Sequence, residues 1–246
     1  MKRLAALLTI ALLLASPVRA FEDTLLVHGG FWNWRAYKTM RYEVQGWPFS
    51  KNAASRRDLH TVDLDTGRIR IDGERVPYHL GFDGKQAWVS PTADAVAAPA
   101  RFYTLAPFQF IGMPFVLAEP GVEQKDLGYR WVDGKWYEVY QFHYLNGADT
   151  PSDTFTAYVD NETRMLHLVY YDVTFPGLAN PVRHAVVFDE WQTVDGLTVP
   201  KTLSIREWVN DKLGGHPGNL KATFVVSHVH FDNAAAAPAA FAAPSF

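Results

Sequence analysis

Near the end of the chain, residues 225–233 read VVSHVHFDN, which sets His228, His230 and Asp232 at alternate positions. In a strand these three share one side, with the two histidines about 7 Å apart along the chain. Two imidazoles and a carboxylate so placed can chelate a divalent metal, and a catalytic zinc asks for three protein ligands plus a water. Zinc hydrolases whose motif opens this way take another histidine soon after the aspartate and further ligands downstream. Here Asn233 and an alanine-rich stretch follow, which excludes that class. A metal-dependent hydrolase using His228 and His230 with a distant third ligand stays open, because His60, His79, His143, His167 and His184 all fall in strand-like segments. The competing reading is packing: Phe224 and Val226 precede the pair on the same side, as in a strand running from core to rim.

Other chemistry is sparse. The chain has no cysteine, so disulfides, thiolate catalysis and cysteine zinc sites are excluded. There is no Gly-x-Ser-x-Gly, no phosphate-cradling glycine loop with lysine, and no His-Glu-x-x-His. No catalytic residue and no cofactor are assigned. The loop 146–155 carries Asp149 and Asp153 among hydroxyls, a composition that suits a cation or a ligand head group but that turn chemistry also explains.

The stronger signal is apolar. Residues 95–121, AVAAPARFYTLAPFQFIGMPFVLAEPG, are rich in aromatics yet interrupted by Pro99, Pro107, Pro114 and Pro120. That spacing argues against a long regular helix or a central strand and predicts short helices and loops. With Trp47 and Trp88 from neighbouring segments, Phe108, Phe110, Met113 and Phe115 are the expected lining of an apolar cavity. The alternative is that these side chains simply fill a core, since aromatics bury large areas in any fold. His28, just before Gly29-Gly30, is placed to end a helix or pack on a strand beneath, or to touch a ligand.

These residues need a frame. The first 20 residues, with Lys2 and Arg3 ahead of an apolar run of twelve and Val18 and Ala20 at the small-residue positions, read as a secretory signal peptide cleaved after Ala20. Nothing else approaches the length of a membrane span. A periplasmic location is the expectation. Without Lys2, Arg3 and Arg19 the chain keeps 20 basic against 26 acidic residues, the wrong sign for a nucleic-acid partner. Residues 22–39 read as a helix interrupted at Gly29-Gly30, with Leu25, Leu26, Trp32 and Trp34 supplying a buried face. Then the period changes to two. Met40, Tyr42 and Val44 alternate with charged and polar residues, and Asp-Gly pairs at 72–73, 83–84, 133–134 and 195–196 mark tight turns. The fold class is mainly β (α+β): an antiparallel meander of about eleven strands with one wet and one buried face. Residues 21–232 form one domain, and the Ala/Pro-rich 233–246 is expected to be a disordered tail.

The order of YEVQGW, RRDLHTVDLDTGRIRI, GFDGKQAWVSP, the apolar insertion, YVDNETRMLHLVYYDV and VDGLTVPKTLSI resembles the bacterial outer-membrane lipoprotein carrier superfamily, LolA-like and LolB-like. HGGFWNWRAYKTMRY, FIGMPFVLAEPG and GADTPSDTFTAYVD bring it nearest to a secreted, functionally uncharacterised bacterial family with that fold. The resemblance runs from about residue 22 to 232. It implies a half-barrel sheet whose concave side is closed by helices, with acyl chains held between. The partner it implies is an apolar small molecule or lipid, or a lipoprotein or other envelope protein, bound by a monomer. A non-catalytic envelope interaction or sensor module with a filled core is the remaining alternative.

Overall fold

Each period-two segment pairs with its neighbour in the chain. The computed structural model describes residues 18–48, 56–74, 78–145, 153–173, 182–210 and 214–244. Residues 1–17 of the expected signal peptide and Asp149 lie outside them. β1 (Thr39–Gln45), β2 (Arg57–Asp63), β3 (Ile69–Gly73), β4 (His79–Phe82) and β5 (Ala87–Ser90) make one meander. A second comprises β6 (Val122–Val132), β7 (Lys135–Tyr144), β8 (Thr154–Asp160), β9 (Leu166–Val173), β10 (Val182–Val194), β11 (Leu197–Val209) and β12 (His216–Asp232). They join where β12 pairs antiparallel with β1, giving one curved antiparallel sheet of twelve strands in the order β5-β4-β3-β2-β1-β12-β11-β10-β9-β8-β7-β6. β5 and β6 are therefore consecutive in sequence but sit at opposite edges, and residues 91–121 strap one edge to the other.

One face of the sheet carries the helices α1 (Val18–Val27), α2 (Phe31–Ala36) and α3 (Ala100–Ile111). Its rows are apolar: Tyr140, Ala157, Val169, Val186 and Ile205 lie in register across five strands. The expectation of one wet face holds only at one end. At β7–β10 the opposite face is buried too, with Val139, Tyr158, Leu168 and Val187 in register and Trp208 packed beside them.

Gly29 and Gly30, both at positive φ, end α1, one of the two roles their position allowed, and a Cβ at Gly29 would lie 2.2 Å from the Gly196 carbonyl oxygen. Other helical details differ from the sequence reading. Only Trp34 of the two α2 tryptophans is buried; Trp32 is 83% exposed, because residues two apart do not share a helix face. α3 runs for twelve residues straight through Pro107. The strap's apolar contacts hold the helix despite the missing N–H.

The C-terminal segment is also not the disordered tail expected. Pro238–Phe241 forms a 3-10 turn that folds back on the face opposite the helices, and Phe241 is 0% exposed. Arg70 Nη1 donates to the Ala240 carbonyl at 3.3 Å and Trp88 Nε1 to the Phe241 carbonyl at 2.9 Å. A single large ring is enough to anchor an otherwise small-residue segment.

Candidate functional site

The helix face is the candidate site, and its cover is the strap. α3 packs over β3, β4 and β5, while the following 3-10 turn, Phe115–Ala118, meets α2. Neither α2, α3 nor that turn has a side-chain N-cap, and helices of six or twelve residues do not stand alone in water. What fastens the cover is side-chain chemistry. Tyr144 Oη accepts from Gln109 Nε2 at 2.6 Å and donates to the Val116 carbonyl at 3.4 Å. Arg35 Nη1 reaches Glu119 Oε2 at 3.1 Å. Aromatic contacts add to these: Phe115 stacks on Trp34 at 4.8 Å, Phe108 lies 6.4 Å from the same indole, and Phe110 sits 5.1 Å from Tyr171.

Of the residues expected to line a cavity, Trp47, Phe108, Phe110, Met113 and Phe115 meet in one apolar cluster on this face. Trp47 lies edge-on to Phe224 at 5.2 Å. Phe110 is 5% exposed and Phe115 0%, so in this closed arrangement they act as core, while Phe108 is partly exposed. Trp88 is on the wrong face. Its register partner Gly81 pairs with Arg70, alternating with the inward row Ile71, Leu80 and Val89, and the Arg70 guanidinium sits 5.6 Å from the indole.

His28 is a structural staple. Its Nδ1–H donates to the Thr198 carbonyl at 3.1 Å on β11, and its Nε2 accepts the Leu166 N–H at 3.3 Å on β9. Trp191, on the strand between, meets the ring edge-on at 4.3 Å. Burial holds this imidazole down to about 4, against the upward pull of the Thr198 hydrogen bond, so it is neutral at ordinary pH. With both nitrogens used, His28 offers no polar atom to a ligand.

The site also contains a polar node that the sequence reading missed. Asp58 and His60 alternate with Leu59 on β2, and the two polar residues face the helices while Leu59 is 43% exposed. The Asp58 carboxylate accepts Tyr78 Oη on one oxygen and Tyr103 Oη, from α3, at 2.6 Å on the other. Arg56 Nε donates to Tyr78 Oη at 2.7 Å, its guanidinium lies 3.6 Å from the Tyr78 ring centroid, and both Nη atoms reach the Ala95 carbonyl at 3.4 Å. Burial pushes the Asp58 carboxyl up, opposed by these two hydroxyls and by Arg56. The node thus binds the first part of the strap to the sheet. Gly73 makes room for it, since a Cβ there would lie 2.1 Å from the Tyr78 ring. The signal that could have found it was the run RDLH itself, whose alternation admits either face. Beside the node His60 stacks on Tyr42 at 4.8 Å, and burial holds His60 down to about 3, against the upward pull of Asp72.

The C-terminal histidines leave the side of β12 that the sequence spacing gives them. Arg41 pairs with His230 but Glu43 with Ser227, so β12 bulges there, with His228 at φ 52°. The bulge moves both histidines to the face away from Phe224 and Val226, where they are exposed. His228 Nδ1 lies 3.2 Å from Glu43 Oε2, and Asp232 Oδ1 accepts the Ala234 N–H at 2.8 Å. Among the described residues no group of three or more histidine, aspartate or glutamate side chains is placed to hold a metal ion. Asp153, from the loop weighed as a head-group site, is buried beside β8.

No family model matches the chain, and no curated protein matches it in sequence. Among solved structures it is similar to a DUF1329 family protein from Desulfovibrio piger, at 11% identity and a TM-score of 0.49 over 89% of this chain and 94% of that one. It is similar too to a LolA superfamily protein from Nitrosomonas europaea, at 8% identity and a TM-score of 0.45 over 78% of this chain and 83% of that one. No helix among the described residues is long and apolar enough to cross a membrane.

Proposed function

We propose that this chain is an exported, periplasmic protein that holds an apolar molecule, a lipid or acyl chain, between the curved sheet and the 95–121 segment. One observation carries the reading: the cover over the apolar face is held by side-chain tethers and ring stacking, with its own short helices uncapped. Such a cover parts from the sheet locally while the strand ladder stays whole. The ligand replaces the aromatic contacts that the cover gives up, and each CH₂ it buries contributes about 0.8 kcal/mol.

The test is native mass spectrometry of the protein purified from periplasm without detergent. An added mass of several hundred daltons, lost on solvent extraction and weakened by Phe108→Ser, is the expected result. Phe108 is the position to change, because Phe110 and Phe115 are core residues whose loss would unfold the cover first.

A second reading has its own support. Met113 and Phe115 are fully buried and Phe115 stacks on Trp34, so the resident side chains already fill this part of the interior. That suits an interaction or sensor module with a packed core, and a bare chain mass in the same experiment would favour it.

A further inference from the structure

Among the buried side-chain polar atoms that find no hydrogen-bond partner in the described residues, Tyr42 Oη and His60 Nδ1 belong to neighbouring side chains on the helix face. Tyr42 is 0% and His60 1% exposed. The two residues are direct register partners on β1 and β2 with their rings stacked at 19°. Leaving either group dry and unpaired costs on the order of 1–3 kcal/mol, so such atoms are rarely orphaned in a folded protein. A second observation marks the same place. The bulge of β12 falls directly opposite Tyr42, between the Arg41 and Glu43 pairings, so the ladder is interrupted at the backbone of the residue that carries the orphaned hydroxyl.

We propose that the molecule bound on this face is an amphiphile with an uncharged oxygen, a hydroxyl or an ester carbonyl, seated against Tyr42 and His60. This inference rests on the lipid-binding reading and names the class of lipid. The tyrosine hydroxyl donates or accepts, and the neutral imidazole does one or the other at Nδ1. A lipid hydroxyl complements both, and an ester carbonyl accepts from both when His60 carries its proton on Nδ1. A charged head is disfavoured. A carboxylate would sit two strand positions from Asp58, about 7 Å along β2, and an ammonium would lie near the buried Arg56, while Asp58 and Asp72 are already paired with other donors.

The experiment titrates the mature protein with monododecanoylglycerol, dodecanoate at pH 8 and dodecylbenzene, following bound mass by native mass spectrometry, in the parent and in Tyr42→Phe. The parent should bind the glyceride at least fivefold more tightly than either other probe. Tyr42→Phe should lose about five- to tenfold for the glyceride, keep its affinity for dodecylbenzene, and melt no lower than the parent without ligand. His60→Phe serves as the second variant should Tyr42→Phe fail to fold. If all three probes bind alike and Tyr42→Phe changes none of them, the oxygen site is wrong while the lipid-binding reading stands. If the glyceride binds best but Tyr42→Phe and His60→Phe leave it unchanged, the selectivity lies elsewhere and the assignment fails. Binding of no probe overturns both.

Discussion

His28 and Leu166, 138 residues apart in the chain, are joined by a hydrogen bond from the Leu166 backbone N–H to His28 Nε2 at 3.3 Å. Only a neutral ring can accept there. The turn between α1 and α2 is thereby fixed to β9, and the Thr198 bond fixes it to β11 as well.

Stability should therefore fall on mild acidification. The unfolded chain protonates His28 and His60 near the ordinary value of 6.5, whereas burial holds them at about 4 and about 3 in the fold. Their contribution is complete above pH 6.5 and is lost as pH drops towards those folded-state values. For His28 alone it is on the order of 3 kcal/mol. Urea unfolding at pH 7, 6, 5 and 4.5 should show a falling midpoint. His28→Leu should be weaker at pH 7 with a shallower slope, and parallel slopes would refute the assignment.

Asp58→Asn should cost about 3–5 kcal/mol, because it removes the carboxylate beside a buried guanidinium. Tyr103→Phe takes away only one of the donors to Asp58 and should cost about 1–2 kcal/mol. Equal, small losses in equilibrium unfolding would mean that the node does not hold the strap.

Ending the chain at Asn233 should destabilise it by about 2 kcal/mol, the worth of burying Phe241. Trp88 would lose its acceptor at the Phe241 carbonyl, so emission should shift to the red in the truncated chain but not in a truncated Trp88→Phe variant. An unchanged spectrum and melting point would show the tail to be idle.

Replacing His228 and His230 together with alanine should leave stability within about 0.5 kcal/mol of the parent, as for other exposed positions. Zinc measured by plasma mass spectrometry should not change either. One equivalent of zinc that vanishes in the double variant would restore the metal reading.

The turns were the most legible part of this sequence. Asp133-Gly134 and Asp195-Gly196 adopt the paired positive φ angles that such dipeptides tolerate, and each closes a hairpin. Asp72-Gly73 has the same letters but lies within β3, where the glycine accommodates Tyr78 rather than a turn. Local chemistry cannot separate these cases, because the Tyr78 ring that decides them comes from the residue just ahead of the next strand. The same limit hid the polar node. In RDLH the hydrophobic residue belonged outside, since Asp58 finds Tyr103 only when α3, forty-five residues later, folds across it. Most of the aromatic cluster was readable from composition, but the faces of Trp88, Trp32, His228 and His230 were not. A two-residue helix step decided Trp32, strand register decided Trp88, and a bulge decided both histidines.

Because β5 and β6 are the two edges of one open sheet and residues 91–121 run between them, that segment stands to the sheet as a bowstring to its bow. A bowstring sets curvature by its length. Added residues would let the edges spread and the bend relax, and removed ones would draw them together, without altering any residue that faces the interior. The size of molecule this fold can enclose is thus written in the length of one connection as much as in the side chains beneath it.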